Sequence, residues 1–282
     1  MILPVPAGPF EWIDAAGGPA LVCRPLATIA VHAFTTRGWL SAADVEGDRS
    51  QGLDGGWEDV ARTLGVQPAD LLRVRQVHGT AVSVGRPAAG TRPEGDIVLA
   101  RDEAFAVAVQ VADCVPLLIA DARTGSVAAV HAGWRGLAAR APGVAVHALA
   151  TEYGSRPGDL VGAFGPSIGA CCYEVGADVR DRFAGAGFAT ADLDRWFLER
   201  PPGSQRNPAI PGIASERREG RWYFDGWAAV RAQLEEAGVR PSQTFGPDLC
   251  TASHPGAFCS FRRDGVGAGR MAAAIRIGPP RP

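Results

Sequence analysis

Apolar positions along the chain fall into short blocks separated by Gly, Pro and Asp, with strand and helix periods mixed. Residues 28–36 are apolar with alternation and read as a strand; residues 56–64 read as a short amphipathic helix. Residues 72–84, broken at Gly79, suggest strand, turn, strand. The block 104–120 is strongly apolar and rich in Val, which favours buried strand over helix. Pro116 interrupts it and predicts either two pieces or an edge position. Residues 121–125 form a turn signal, and 126–130 read as a strand ending at His131. A helix over 134–153 should be kinked or divided at Pro142.

The second half is looser. A short strand is predicted over 160–164 and a helix over 175–184. Residues 192–221 are polar and Pro-rich and read as an irregular excursion. The helix over 225–237 is well signalled: Asp225 can cap it, Trp227, Val230 and Leu234 share a face, and Gly238 ends it. A closing strand is expected over 269–277. The mixture predicts an α/β (α+β) fold, a mixed sheet covered by helices, in one domain over 1–282.

Composition narrows the function classes. Net charge is −2, which points away from nucleic acid. No apolar run reaches the roughly 18–20 residues that cross a bilayer, and the N-terminus lacks a basic region before an apolar segment, so the expected location is cytoplasmic with no membrane and no obligate protein partner. All 28 basic residues are arginine. Schiff-base chemistry and the P-loop lysine are therefore excluded, and any bound phosphate must be held by arginine, backbone N–H groups or a metal. The six cysteines do not suggest a disulfide framework in a chain of this size and expected location. Adjacent Cys171 and Cys172 read as structural or incidental, and Cys250, His254 and Cys259 lack the spacing of a closed four-ligand site.

The candidate chemistry lies in Gln-Val-His-Gly (76–79), Ala-Asp-Cys-Val-Pro (112–116) and His-Ala-Gly-Trp-Arg-Gly (131–136). His78, Cys114 and His131 offer two imidazoles and a thiolate, a set suited to zinc with an open fourth position. Equally, Cys114 and His131 could serve as nucleophile and base. Taken singly, each has an ordinary reading: His78 a polar residue at a strand end, Cys114 a small buried hydrophobe. A four-residue loop at 121–124 would pair Ala120 with Gly125 and set Cys114 opposite His131, with Cβ atoms about 5 Å apart. Asp113 should point the other way and serve a supporting role. Arg135 starts a helix and could meet an anion there, although spacing alone favours a surface arginine.

The same segments occur in order with Glu-Gly-Asp (94–96), Gly-Pro-Ser-Ile-Gly (165–169), Tyr-Glu-Val-Gly (173–176), Asp-Leu-Cys-Thr (248–251) and Phe-Cys-Ser-Phe-Arg-Arg-Asp (258–264). This series resembles the YfiH family, also labelled laccase-domain proteins or multicopper polyphenol oxidases, over roughly 70–180 and 223–277. The resemblance implies a three-layer α/β/α fold. It also implies a zinc-dependent purine nucleoside phosphorylase acting on adenosine, guanosine, inosine and methylthioadenosine, with adenosine deamination as a second activity. Its metal ligands would be His78, Cys114 and His131, and Arg37, Arg135 and Arg263 are the candidates for phosphate. Some bacterial relatives are linked to peptidoglycan editing. Two departures from the family pattern are the segment after Thr36-Arg37, which bears on substrate range, and Cys259, where aromatic residues are common. Copper oxidation is disfavoured, because a multicopper centre needs many imidazoles and the chain has five histidines. The rival readings are a metal-free cysteine hydrolase or deamidase built on Cys114 and His131, which leaves His78 without a task, and a quality-control factor that keeps the metal as scaffold.

Overall fold

The computed structural model describes residues 2–39, 55–85, 92–210 and 218–278. Its strands form two six-stranded sheets and one three-stranded sheet. The first large sheet runs, in spatial order, β1 (Phe10–Ala15), β2 (Gly18–Cys23), β3 (Ala30–Thr35), β15 (Met271–Ile277), β7 (Ala106–Val111) and β4 (Leu71–Leu72). The second runs β14 (Thr244–Phe245), β10 (Val161–Phe164), β8 (Val115–Asp121), β9 (Ser126–Ala132), β6 (Ile97–Ala100) and β5 (Val82–Val84). In the small sheet β13 (Arg221–Phe224) lies between β11 (Glu174–Gly176) and β12 (Phe197–Leu198). Pairings are antiparallel except β4–β7, β5–β6 and β10–β14. Both large sheets are thus mixed, and the α/β class is the one the pattern predicts.

The linear pattern does not separate the two large sheets; the alternation within strands explains the division. On β7, Val107, Val109 and Val111 face the space between the sheets, where they meet Leu118, Ala120, Val127 and Ala129 of β8 and β9. On the opposite face of the first sheet, Ala106, Ala108, Ala272 and Ala274 make room for α2 (Gly55–Leu64), which buries Trp57, Val60 and Leu64 there. The outward face of the second sheet, with Leu117, Ile119 and Val130, is covered by helices that include α4 (Ala141–Tyr153) and α7 (Gly226–Glu236). Strands buried on both faces lose the polar half of the period-2 signal. Each fully buried Val or Leu contributes roughly 1.5–3 kcal/mol. Arg276 is the exception on β15: its guanidinium, 1 % exposed, donates to the carbonyls of Leu64 and Ile277.

Several boundaries differ from expectation. The 104–120 block divides at residues 112–114, not at Pro116, which lies inside β8 opposite His131. The carbonyl of Pro116 accepts from Gly165, just past the last paired residue of β10. The reciprocal bond, from residue 116 back to Gly165, is the one a proline cannot make, and the pairing of β8 with β10 stops at Leu117. The 134–153 helix is divided as expected: α3 (Trp134–Ala138) ends before Arg140, which has φ 61°, and Pro142 falls in the first turn of α4, where its absent donor is harmless. The stretch read as irregular from 192 starts inside α6 (Thr190–Trp196) and continues through β12; residues 199–210 have no helix or strand, and 211–217 lie outside the described residues. Between these, α5 spans Ala177–Gly185, with Val175 in β11. Asp225 caps α7 by accepting from the Ala228 N–H. The remaining short helices are α1 (Arg24–Ala27) and α8 (Phe261–Asp264). Among the described residues no helix is long and apolar enough to cross a membrane.

Candidate metal centre

The ends of β8 and β9 build half of the site. The observed register pairs Val115 with Ala132 and Pro116 with His131, closing on a loop of residues 122–125. Cys114 is therefore not opposite His131 as expected; continuing the register by one pair sets it opposite Gly133. The slip is an even one, so Cys114 and His131 keep a common face. Gly133 has ordinary extended backbone (φ −71°, ψ 171°), so its importance is steric. A Cβ there would lie 2.9 Å from Cys114 Sγ and 3.2 Å from His78 Cδ2. The missing side chain is the space that the thiol and the second imidazole occupy.

His78 arrives from the turn between β4 and β5. It adopts a left-handed φ of 61°, a conformation that costs a side-chain-bearing residue energy. The compensation is Asp96, fully buried just before β6. Its carboxylate accepts the N–H groups of Val77 (3.3 Å), His78 (3.0 Å) and Gly79 (2.6 Å), and also His131 Nδ1 (2.7 Å). One carboxylate thus fixes the loop that carries one histidine and the ring orientation of the other. Since Nδ1 of His131 is engaged, Nε2 is the nitrogen left for the site.

These elements bring the donor atoms of His78, Cys114 and His131 within 4.8 Å of one another. The two imidazoles sit edge to face, with centroids 4.8 Å apart. His131 is buried, Cys114 half-buried and His78 exposed, so the cluster opens to solvent on the His78 side. Burial pushes the Cys114 thiol up, but the His131 charge and hydrogen bonds from both histidines outweigh it and leave it at about 6. Burial would lower His131, yet the Cys114 charge and Asp96 raise it to about 9. Asp96 is held below the usual carboxylate range: burial opposes this, and the bonds from His131, Gly79 and His78 prevail. Behind Cys114 a pocket of about 10 Å³, walled by Val115, Trp134, Leu137 and Tyr173, has room for no more than one water, so a substrate must approach from the His78 side.

A family model described as multi-copper polyphenol oxidoreductase laccase matches residues 38–278. A Deinococcus radiodurans protein named purine nucleoside phosphorylase is 38% identical over 273 residues, covering 94% of this chain and 95% of that one. The chain belongs to the YfiH, or laccase-domain, family. A second relative, adenosine deaminase RL5 from an unknown prokaryotic organism, is 32% identical over 225 residues, covering 77% of this chain and 78% of that one. In fold, this YfiH-family chain matches the crystal structure of Bacillus licheniformis hypothetical protein YfiH with a TM-score of 0.80 at 24% identity, over 96% of this chain and 100% of that one.

The arginines named for phosphate fare differently. Arg263 donates to the carbonyls of Thr251, Ala252 and Phe258 and pairs with Asp264, so its guanidinium is engaged within the protein. Arg37 donates to the Pro255 carbonyl, and its backbone N–H to that of Ala257. The atypical segment beyond it, 40–54, lies outside the described residues. Arg135 is exposed in the first turn of α3, stacked over Trp134 at 4.3 Å. Asp113 has φ 92° and gives its carboxylate to Thr251 Oγ1 (2.6 Å) and the Arg262 N–H (2.6 Å), which pins the backbone beside Cys114. No role was assigned to Asp96 or Gly133 from sequence. The available signal for Asp96 was a carboxylate directly preceding a fully apolar strand, where it must find donors.

Proposed function

We propose that the chain is a purine nucleoside phosphorylase that holds zinc through His78, Cys114 and His131. The observation that carries this reading is the donor set: two imidazoles and a low-lying thiol whose donor atoms converge within 4.8 Å, with a carboxylate on the remote nitrogen of one ring. Three such ligands, open on one side, fit zinc with a vacant position. Zinc bound there supplies a Lewis acid that can neutralise phosphate or polarise a substrate oxygen. The protein's own residues do the rest. Asp96 keeps both histidines in place, Gly133 keeps the space clear, and the exposed Arg135, four residues after His131 and stacked on Trp134, offers a cation for an incoming phosphate. In the reaction, a phosphate oxygen bonds the ribose anomeric carbon as the bond from that carbon to the purine breaks. The transition state is oxocarbenium-like, as in glycoside cleavage, and the leaving purine takes a proton. Adenosine, guanosine, inosine and methylthioadenosine are the proposed substrates, and adenosine deamination is a second activity of the same site. The cytoplasm is the proposed location.

The test is a panel of these nucleosides with metal-analysed protein, with and without phosphate. Release of free base and pentose 1-phosphate, only with phosphate, is the expected result. No base from any nucleoside with zinc-replete protein would overturn it.

One observation favours a second reading. Cys114, His131 and Asp96 form the order nucleophile, base, orienting carboxylate, with Asp96 on the imidazole nitrogen remote from the thiol. A metal-free cysteine hydrolase would use that order and retain activity after exhaustive chelation. The phosphorylase would lose it and recover it with zinc.

A further inference from the structure

Three cysteines that the phosphorylase reading leaves unused come together on the far side of Asp113. Cys171 and Cys172 end the turn after Ile168, whose N–H is held by the Asp113 carbonyl. Cys250 is bridged to Ser167. The sequence reading grouped Cys250 with His254 and Cys259; the fold instead packs Cys259 in the core between the sheets and puts Cys250 with the adjacent pair. All three are buried free thiols with sulfurs within 4.8 Å of one another.

We propose that Cys171, Cys172 and Cys250 form a second metal site that binds one copper(I) ion through three thiolates. Three sulfurs each about 2.3 Å from one ion at trigonal angles sit roughly 4 Å apart, inside the observed limit. Polar groups already face the sulfurs: the Gly169 N–H donates to Cys250 Sγ (3.3 Å), and the Ser253 hydroxyl, with one proton to give, lies 3.6 Å from Cys171 Sγ and 3.5 Å from Cys172 Sγ. These stabilise sulfur that has lost its proton. An all-sulfur set selects soft cations. Structural zinc takes four ligands, and the imidazole nearest in sequence to Cys250 is committed: His254 Nε2 lies 3.3 Å from Asn207 Oδ1, and the ring also bonds the Arg206 backbone. Three-coordinate copper(I) needs no fourth. Entry is open, because Cys171 lines a cavity of about 780 Å³ whose wall also includes Arg206 and the Arg231–Asp248 pair. Each copper–sulfur bond replaces a sulfur–hydrogen bond, and the protons leave to solvent; no electron is transferred.

The experiment uses the full chain carrying Cys114→Ser, which removes the first cluster's thiolate. It is reduced, then titrated anaerobically with copper(I) against a chromophoric copper(I) chelator. One copper per chain, with only sulfur neighbours by X-ray absorption, is expected, and adding Cys172→Ser should lower uptake at least tenfold. Where the double variant does not fold, alkylation of the single variant gives the second measurement: copper(I) should protect residues 171, 172 and 250. The proposal is overturned by no uptake, by uptake unchanged in a folded double variant, by alkylation without protection, or by zinc displacing copper(I) from these sulfurs.

Discussion

His32 on β3 and His131 on β9 are both 3 % exposed, yet they titrate in opposite directions. His32 Nε2 accepts the Cys23 N–H (2.8 Å) and Nδ1 faces the Ala30 carbonyl (3.2 Å). That pairing satisfies a neutral ring, and burial pushes it down to about 4. His131 has a carboxylate on one nitrogen and a thiol on the other, and it rises to about 9. Burial is therefore not what equips a histidine for chemistry. The partners on its two nitrogens are. One backbone donor and one backbone acceptor make a structural post; two anionic partners make a group that can hold a cation or a proton.

The largest expected effect separates the two regions by activity. Cys114→Ser should lose the zinc equivalent and all base release, whereas His32→Gln, if folded, should keep both; metal analysis and a nucleoside assay on the same preparations decide. Loss of zinc in the His32 variant would remove the contrast. Next is stability against pH. The unfolded His32 takes up a proton as pH falls below about 6.5, while the folded one resists until about 4, so its contribution is complete above 6.5 and is lost on acidification through that window. The loss should approach about 3 kcal/mol, read as a falling urea midpoint in the wild type that is flatter in His32→Gln. Asp96→Asn should weaken zinc binding by roughly 10–100-fold, measured by chelator competition; an unchanged affinity would mean that Asp96 serves only the fold. Smallest is Gly133→Ala. The 2.9 Å approach to Cys114 Sγ forces a small displacement, so zinc should bind more weakly than in wild type but more tightly than in Asp96→Asn.

Much of the scaffold was legible in the chain. The 225–237 helix carried its own cap and stop, and the structure starts and ends it there: Asp225 accepts from Ala228, and Gly238 takes φ 90°. The hairpin before His131 was legible as well, but its register was not. A loop at 121–124 and one at 122–125 read alike in sequence, and only pairing with β6 and β10 fixes the choice. β15 read as a strand, yet nothing local shows that the end of the chain inserts between β3 and β7. Arg263 reads in the chain only as a candidate cation; its carbonyl partners at residues 251, 252 and 258 are assembled by the fold and are invisible in sequence.

Local chemistry settled the well-signalled elements, such as the 225–237 helix with its cap and stop, and which side chains can bind a soft or borderline metal, since caps, periods and donor atoms are properties of neighbouring residues. The meeting of His78, Cys114 and His131 over Asp96, and the separate gathering of three thiols, depended on long-range packing. Their sequence separations are bridged only when two sheets stack and register places a glycine where a thiol needs room.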